Sequence, residues 1–499
     1  MKRISFDKKF FYILVMATIT ALLSLVGCTS ASVQITAAVD DSNSLIFHIQ
    51  GTVKTPGEVT VRYWSRESGP FTTAPVSTNG TAFLAEVMRL LPSTQYEFQV
   101  FLSTSPNATP VAQHQGTFDT GPLPAGLQNA KIQLIQGTPT YDLLFLDYNC
   151  NDFNGIVIID NEGRIVWYYQ NDNQVFVVTP EASHNVVFNE LSLNVGYTMK
   201  EIAPDGSTLH SINDTLKDGS LCAPHGRWNH EMLVRPDNKV WTIGAEIRSV
   251  NINGDSTLQT GGTIEEWDKA KGTVTRLVSM FDLLDPVNDR GVDSNTTGGF
   301  FWVGCQNQYM GEAEDWTHTN SLDVLPNGDI LVSNRYLDQV IAVKPDFSGV
   351  DWKLGGIGSS FTFPNPDDKF YHQHYVRMLP NGNILLFDNG DTRPADQGGE
   401  YSRALELKLD FQTMQATKVW EYRNVPDIYS SAVGSVIRLN NGDTVVDFGI
   451  DPVNEDPSIF RVVEADPNGN PVAVTTISSP GKGDQYRAIP VSSINGESG

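Results

Sequence analysis

A short motif recurs from about residue 130 onward and constrains the fold of this chain more than any other feature. In each copy an apolar strand runs into a turn of the form Leu-Pro-Asn-Gly, and a second apolar strand follows. The copies are Leu325–Val332, Leu379–Leu386, Leu439–Val446 and, in weaker form, Arg235–Trp241. Asn-Gly and Asp-Asn pairs tolerate positive φ, so each copy predicts a tight β-hairpin. Repetition on this scale indicates a fold built from repeated units.

A second repeated unit, made of a strand, an Asp-rich turn and another strand, follows each first unit. Its six copies lie near Val157–Trp167, Lys200–Ile212, Ile264–Val278, Val340–Leu354, Ala404–Tyr422 and Phe460–Val474. Alternating hairpins without a helical period predict an all-β fold in which residues 130–490 form a six-bladed β-propeller. Seven blades stay open as an alternative if residues 280–315 contain another blade. That segment is more typical of a long functional loop.

The region before the repeats has a different pattern. Residues 33–120 alternate apolar and polar positions in short runs between Gly, Pro, Ser and Thr clusters, which predicts a small β-sandwich domain. Within it, Leu90–Val100 resembles the leucine-proline-x-threonine-x-tyrosine stretch of fibronectin type III domains. The prolines and glycine of residues 122–126 indicate a linker to the propeller.

The N-terminus has the pattern of an export signal. Basic residues precede an apolar run from Phe10 to Val26, which is short for a membrane-spanning helix. The following Leu-Val-Gly-Cys resembles the lipobox of bacterial lipoproteins. We therefore expect residues 1–28 to be a lipoprotein signal peptide, Cys28 to be acylated, and the protein to be lipid-anchored to a bacterial membrane in the periplasm or at the cell surface. An uncleaved anchor helix is the alternative.

Charge and cysteine content narrow the function classes. The chain has 58 acidic and 34 basic residues and a formal net charge of −24, which argues against nucleic acid as a partner. Beyond Cys28 the cysteines are Cys150, Cys222 and Cys305, spaced too widely for a zinc site. One disulfide and one free thiol remain possible. We expect no metal.

Three histidines occupy related positions in the repeats. His230 and His374 each precede their turn proline by six residues, and His318 precedes its own by eight. Because the innermost strand of each propeller blade faces the central channel, these imidazoles are expected to converge there. Arg335 follows His318 by about one strand. A lone histidine is more often structural, but three in related positions predict a functional site.

Several stretches resemble the bacterial arylsulfotransferase family, which does not depend on nucleotide sulfate donors. They are His318–Ser321 with Arg335, Gln373-His374 leading into Phe387–Asp391, Tyr401–Leu405, and Gly434–Leu439. The resemblance implies a six-bladed propeller behind a β-sandwich, no cofactor, and a histidine that is transiently sulfated. It also implies an aryl sulfate donor and a phenolic acceptor as partners, and it points to a homodimer.

Residue by residue, the resemblance assigns His374 as nucleophile and His318 and Arg335 as sulfate-binding residues. His230 matches the remaining histidine, although His225 is a rival, and His372 is a rival of His374. Thr319 and Asn320 of the matching stretch become candidate substrate-binding residues.

The residue types suit sulfuryl transfer. A neutral imidazole is a competent nucleophile, an arginine offers a fork of donors to the sulfate oxygens, and a second histidine can move the phenol proton. The Asp-Asn-Gly-Asp segment at residues 388–391 resembles a calcium loop but lacks the other ligands, so an edge turn is expected. Two other functions stay open. One is a non-catalytic cell-surface propeller that binds a ligand or protein, and the other is a sulfate-ester hydrolase.

Overall fold

The computed structural model describes residues 35–80, 82–105, 108–192, 196–213, 228–291, 313–450, 459–478 and 485–499. Strands dominate these residues, which confirms the all-β prediction. The helical segments within the described ranges are short: α1 (Ala125–Gln128), α2 (Met280–Leu283), and 3-10 turns at Arg335–Leu337, Pro366–Asp368 and Ala395–Gln397. No helix of those ranges is long and apolar enough to cross a membrane. The predicted signal peptide and Cys28 lie outside the described residues.

The N-terminal segment consists of strands with alternating burial. They are β1 (Ile35–Val39), β2 (Phe47–Thr52), β3 (Pro56–Trp64), β4 (Phe71–Thr72), β5 (Val76–Asn79), β6 (Ala82–Val87), β7 (Gln95–Ser103) and β8 (Val111–Asp119). One antiparallel sheet has the order β1-β2-β6, and the other has β4-β3-β7-β8 with β5 beside β3. Apolar side chains of both sheets share a core, in which Phe118 stacks on Phe47 and Tyr96. The fibronectin type III assignment stays a proposal.

The strands of the repeat region come in consecutive hairpins. The first are β9 (Lys131–Gln136), β10 (Leu143–Cys150), β11 (Phe153–Asp160), β12 (Ile165–Asn171), β13 (Gln174–Pro180), β14 (Val186–Ser192), β15 (Gly196–Ile202), β16 (Thr208–Asn213), β17 (Asn229–Val234), β18 (Val240–Ile252), β19 (Asp255–Asp268) and β20 (Thr273–Ser279). The rest are β21 (Ala313–Asp315), β22 (Thr319–Val324), β23 (Ile330–Asn334), β24 (Gln339–Val343), β25 (Val350–Gly355), β26 (His374–Met378), β27 (Ile384–Asp388), β28 (Arg403–Asp410), β29 (Gln415–Tyr422), β30 (Ser435–Arg438), β31 (Thr444–Phe448), β32 (Ile459–Ala465), β33 (Pro471–Ser478) and β34 (Ala488–Val491).

These strands pair into antiparallel sheets, six of them within the described ranges. Sheet 1 is β34-β10-β11-β12, sheet 2 is β13 to β16, sheet 3 is β17 to β20 with the short β21 parallel to β19, sheet 4 is β22 to β25, sheet 5 is β26 to β29, and sheet 6 is β30 to β33 with β9 added at its edge. We call β34, β13, β17, β22, β26 and β30 the first strands. Neighbouring sheets touch through this side: β10 contacts β13, β13 contacts β17, β17 contacts β22, β22 contacts β26, β26 contacts β30, and β31 contacts β34.

The repeat turns join the first and second strands of sheets 3 to 6, which confirms the predicted hairpins. In the copy at Leu325, Gly328 donates its backbone N–H to the Leu325 carbonyl at 2.9 Å. The turn glycine has a φ of +91° there, +84° at Gly382 and +96° at Gly442, and Asn238 has +64° in the weaker copy. The left-handed residue is therefore the glycine, with asparagine replacing it once. The second-unit hairpins also form where predicted.

Two further expectations meet the structure only in part. The long segment 280–315 begins with α2 and ends with β21, and residues 292–312 lie outside the described ranges, so the possible seventh blade stays untested. Cys150 is buried and its thiol is free. Cys222 and Cys305 lie outside the described residues.

Candidate functional site

Irregular backbone at the start of the first strands places the candidate residues. The pairing of β17 with β18 slips between Asn229 and Met232, and that of β26 with β27 slips between His374 and Arg377. His230, inside the first slip, has a φ of +58°, and His318, just before β22, has a φ of +46°. Bulges and left-handed residues re-aim side chains and recur at functional sites. Here they bring side chains of three consecutive sheets together.

The three histidines of the sequence prediction lie in one buried cluster. The His230 ring centroid is 4.9 Å from that of His318 and 6.4 Å from that of His374. All three side chains are almost fully buried. Tyr486, just before β34, packs its ring edgewise against His230 at 5.7 Å and against His374 at 6.4 Å. We call His230, His318 and His374 the histidine cluster.

Asn389 determines which nitrogen of His374 carries the proton. The Asn389 amide nitrogen donates to the carbonyls of Ser430 at 2.8 Å and Val433 at 3.0 Å, so its oxygen must face the ring. That oxygen is 2.7 Å from His374 Nδ1. Because an amide oxygen only accepts, Nδ1 carries the hydrogen when the imidazole is neutral. The reactive lone pair then belongs to Nε2.

The surroundings keep the cluster neutral. Burial is the main reason that the pKa of His374 lies well below 6.5, and the charge of Arg335 and the nearby His230 add to it, while the hydrogen bond that Nδ1 donates to Asn389 opposes it. Burial and Arg335 also hold the pKa of His318 well below its usual range. For His230, burial, His318 and Arg487 lower the pKa in the same way. Neutral imidazoles therefore prevail at neutral pH.

Arg335 supplies the positive charge beside the cluster. One terminal nitrogen donates to Asp391 Oδ2 at 2.9 Å and to the Ser431 carbonyl at 3.0 Å. Its Nε is buried and has no hydrogen-bond partner in the part of the chain that the structure describes. Asp391 Oδ2 also accepts from His372 Nδ1 at 2.8 Å, and Oδ1 accepts from the Tyr429 hydroxyl at 2.8 Å. The guanidinium is thus held at one end and keeps a donor for a ligand.

Asp391 is ionised in this network. Burial opposes its charge, but the hydrogen bonds from His372 and Tyr429 and the charge of Arg335 outweigh burial and hold the carboxyl pKa well below its usual range. The negative charge remains in place at any pH near neutrality and continues to orient Arg335.

The other two histidines have different partners. His318 Nδ1 lies 2.8 Å from Asp315 Oδ2, and the His318 backbone N–H donates to Asp315 Oδ1 at 3.0 Å. The His230 ring contacts the side-chain oxygen of Asn229. The His230 carbonyl accepts from Arg487 at 2.7 Å, and the same guanidinium pairs with Glu231 at 2.7 Å. Each imidazole is therefore fixed by its own neighbours.

The remaining predicted residues are placed as follows. Asn320 donates its amide to the Gln373 carbonyl at 2.7 Å, directly before His374, and its Oδ1 has no partner among the described residues. The Thr319 hydroxyl donates to Asn334 Oδ1 at 2.8 Å, within sheet 4. The rival His372 faces Asp391 and packs on Tyr336 at 5.5 Å. The rival His225 lies outside the described residues.

The Asp-Asn-Gly-Asp segment is where the sequence interpretation missed most. The expected edge turn instead supplies Asp388 to the buried Arg393 and Arg403, Asn389 to His374, and Asp391 to Arg335. In the described ranges no group of three or more His, Cys, Asp or Glu side chains is arranged to hold a metal ion. The segment's place beside a matched histidine stretch was the one available signal. For Asp315 and Tyr486 the sequence offers no comparable signal.

Six antiparallel sheets and a buried set of neutral imidazoles with one arginine define an all-β protein equipped to hold a small anionic group. The model of the arylsulfotransferase (ASST) family matches residues 131–487, and the chain belongs to this family. It is 25% identical over 171 residues to the arylsulfate sulfotransferase AssT of Escherichia coli O6:H1 (strain CFT073). That match covers 28% of this chain and 28% of the relative, so the chain spans little more than a quarter of the relative's length.

Two solved structures are similar at a lower level. One is a protein of unknown function from Bacteroides caccae, with 15% identity and a TM-score of 0.37, covering 70% of this chain and 100% of that one. The other is a catalytically inactive virginiamycin B lyase from Staphylococcus aureus with quinupristin, with 10% identity and a TM-score of 0.34, covering 70% of this chain and 99% of that one. Similarities at this level establish neither a common fold nor a common function.

Proposed function

We propose that the protein is an aryl sulfotransferase that passes a sulfuryl group from an aryl sulfate to a phenol through a transient sulfohistidine at His374. Family membership supports sulfotransferase chemistry in general. The observation that carries the assignment of His374 is its contact with Asn389, which leaves the lone pair on Nε2. Burial supports it too, because a lowered pKa keeps this imidazole neutral and nucleophilic.

The reaction has two balanced steps. In the first, the Nε2 lone pair of His374 attacks sulfur, the bond from sulfur to the aryl oxygen breaks, and the phenol product leaves once its oxygen has gained a proton. In the second, the acceptor phenol attacks sulfur, gives up its proton, and the sulfur–nitrogen bond breaks to regenerate neutral His374. Arg335 stabilises the charge on the non-bridging oxygens through a preorganised donor, which is the main task of a protein in such transfers.

Roles follow for the other predicted residues. His318 and His230 line the same buried space as His374 and supply hydrogen bonds to the sulfuryl oxygens or move the phenol proton. Asn320 donates its amide to the Gln373 carbonyl directly before His374, and its Oδ1 has no partner within the described ranges. Thr319 acts less directly, because its hydroxyl is engaged by Asn334.

The test is a single-turnover reaction with 4-nitrophenyl sulfate and no acceptor. We expect one equivalent of 4-nitrophenolate and a gain of one sulfuryl mass on the peptide containing His374, without added nucleotide or metal. His374→Ala should give neither, because alanine has no lone pair with which to attack sulfur. His114→Ala, in the exposed part of β8, is the matched control and should behave like wild type.

Other outcomes separate the remaining functions. Free sulfate released at one rate with or without phenol would identify a hydrolase. Donor binding without any 4-nitrophenolate would identify a binding protein. A sulfuryl group found on the His372 peptide, with His374→Ala still active, would reverse the assignment of the nucleophile.

We also propose that the six sheets close into a six-bladed propeller of residues 130–490 behind a fibronectin type III-like sandwich of residues 33–120. The sequential contacts of the first strands support the propeller, and the two N-terminal sheets with orders β1-β2-β6 and β4-β3-β7-β8 support the sandwich. Export with a lipid anchor at Cys28 and a homodimeric state are further proposals. Release of the Cys28→Ala protein from membranes and a molar mass of two chains in solution would test them.

A further inference from the structure

The three imidazoles of the histidine cluster differ in what holds their Nδ1 atoms. Asn389 presents an amide oxygen to His374, and His230 contacts the amide side chain of Asn229. His318 meets a carboxylate, Asp315 Oδ2, at 2.8 Å. An amide oxygen and a carboxylate both accept a hydrogen from a neutral imidazole. Only the carboxylate compensates the positive charge that appears when the ring takes up a second proton.

Asp315 is rigidly placed for this task. It ends β21, which pairs in parallel with β19 so that Asp315 lies opposite Thr260. Its side chain is about 1% exposed, and its second oxygen accepts from the His318 backbone N–H at 3.0 Å. The carboxylate therefore holds both the ring and the backbone of His318. Such buried carboxylate–imidazole pairs orient the ring and stabilise its transient imidazolium form.

We propose that Asp315 is a positioning residue that makes His318 the group that moves the proton of both the acceptor and the donor phenol. The inference rests on the proposed sulfuryl transfer. In the acceptor step, His318 Nε2 takes the proton of the phenol hydroxyl as that oxygen attacks sulfur, while the electron pair of the breaking sulfur–nitrogen bond returns to His374. In the donor step, His318 delivers a proton taken up from solvent to the leaving phenolate, and the proton gained in the acceptor step returns to solvent, so that no net proton is gained or lost over the cycle.

The protonation state of His318 before the acceptor binds agrees with this role. Burial first, and then the charges of Arg335 and His372, lower the pKa of His318, so the ring is neutral before the acceptor arrives and is able to accept a proton. The Asp315 carboxylate lies 2.8 Å from Nδ1, where it is placed to attract the imidazolium as it forms during the step. His230 has Arg487 and His318 beside it, and both disfavour its charge after burial does.

The experiment measures the acceptor step from pre-sulfated enzyme with phenols of graded acidity. Asp315→Asn keeps the size and the hydrogen bond but removes the charge. Acceptors as weakly acidic as tyrosine, with a pKa of about 10, need the base, so their rate constant should fall by about 100-fold or more. Acidic nitrophenols already carry their charge near neutral pH, and should lose no more than about tenfold.

Two variants make the result specific. Asp315→Glu keeps the charge and should recover much of the rate with weakly acidic phenols. Asp391→Asn removes the carboxylate that orients Arg335, and should slow all acceptors by a similar factor, because it affects the sulfuryl group and not the phenol proton. The 4-nitrophenolate burst counts competent sites in each preparation, so a reduced folded fraction does not alter the ratio.

Each outcome decides the proposal. Equal losses for weak and acidic phenols in Asp315→Asn would overturn it while leaving the sulfohistidine intact. If that variant yields no folded protein, the wild-type pH profile decides instead. The rate of the acceptor step should then fall at low pH with weakly acidic phenols through protonation of a group other than the phenol, and a flat profile would contradict the base role. Absence of any burst in wild type would instead reject the proposed function itself.

Discussion

The two ends of the first strands are built on different principles. At the end where the strands finish, the repeat turns reverse the chain in a few residues, and a left-handed glycine or asparagine is the main requirement. At the end where the strands begin, bulges and long connections bring His230, His318 and His374 together. A cavity of about 880 Å³ lies at the turn end, lined partly by Pro180, Leu439 and Val491, while the reactive side chains lie at the other.

This contrast shows how a repeated scaffold carries a single site. A turn depends on its own residues, so copies resemble each other from sheet to sheet. The histidine end depends on partners from other sheets, such as Asn389 for His374 and Arg487 for the His230 carbonyl. Substitutions at the histidine end should therefore change chemistry, and those at the turn end should change stability alone.

After the complete loss expected for His374→Ala, the largest effect comes from the arginine of the histidine end. Arg335→Gln removes the positive charge that stabilises the sulfuryl oxygens. It should lower the rate constant for enzyme sulfation by about 100- to 1,000-fold. Arg335→Lys should recover only part, because a lysine lacks the planar fork that Asp391 and the ligand share. The control is Arg235→Gln at the turn end, where Arg235 stacks on Trp241 at 4.2 Å. A comparable loss in the control would break the contrast.

A smaller loss is expected from Asn389. Asn389→Leu fills the same space but no longer selects the Nδ1-protonated form of His374. The sulfation rate constant should therefore fall on the order of 100-fold. This is a smaller loss than in enzymes where the carboxylate that orients a catalytic histidine is replaced. The matched change is Asn327→Leu in a repeat turn, where Asn327 accepts from the Asp329 N–H. It should lower the melting temperature and leave the burst rate per competent site unchanged.

The next effect is a weak dependence of the burst rate on pH. An ordinary histidine loses half of its neutral form near pH 6.5. The pKa of His374 lies well below that value because of burial, Arg335 and His230, so its lone pair persists as the pH falls through 6.5. The burst rate with 4-nitrophenyl sulfate should therefore change by less than about twofold between about pH 8 and pH 6.5. If the burst rate fell to half of its maximum at pH 6.5 or above, the proposal of a buried, neutral His374 nucleophile would be contradicted.

The smallest effect belongs to the turn end. Gly382→Ala places a side chain at a φ of +84° where no atom lies within 4 Å, so strain alone should cost about 1 kcal/mol in the free energy of unfolding. Gly349→Ala, also in open space but without a positive φ, should be neutral or slightly stabilising. Urea unfolding measures both, and the two variants should match wild type in activity per competent site. Equal stability changes would mean that backbone conformation does not distinguish the positions.

Much of the fold was predictable because its signals are local. The turn residues and the alternation around them identified the hairpins of sheets 3 to 6. The first hairpin of sheet 2 was missed because the turn between β13 and β14 has no Leu-Pro-Asn-Gly sequence. The pairings of β9 with β33 and of β10 with β34 join residues hundreds of positions apart, and no short pattern encodes them.

Less of the site than of the fold could be predicted from the sequence. Repeat position and family resemblance found the histidines and Arg335, because those residues recur at recognisable places. Their partners were not found, since Asp315 and Asp391 act through the geometry of irregular segments. Asp391 illustrates the difficulty: in sequence it belongs to an apparent edge turn, whereas in space it joins Arg335, His372 and Tyr429.

Two pairings between distant parts of the repeat region set the order of its assembly. β9 near the start of that region completes sheet 6, and β34 near its end completes sheet 1. During synthesis β9 must wait for β33, and β10 keeps a bare edge until β34 has been made. Pairings of such long sequence separation form slowly. The growing chain therefore passes most of the synthesis of the repeat region without these two pairings, and Tyr486, which borders the reactive imidazoles, is made only after β9 to β33.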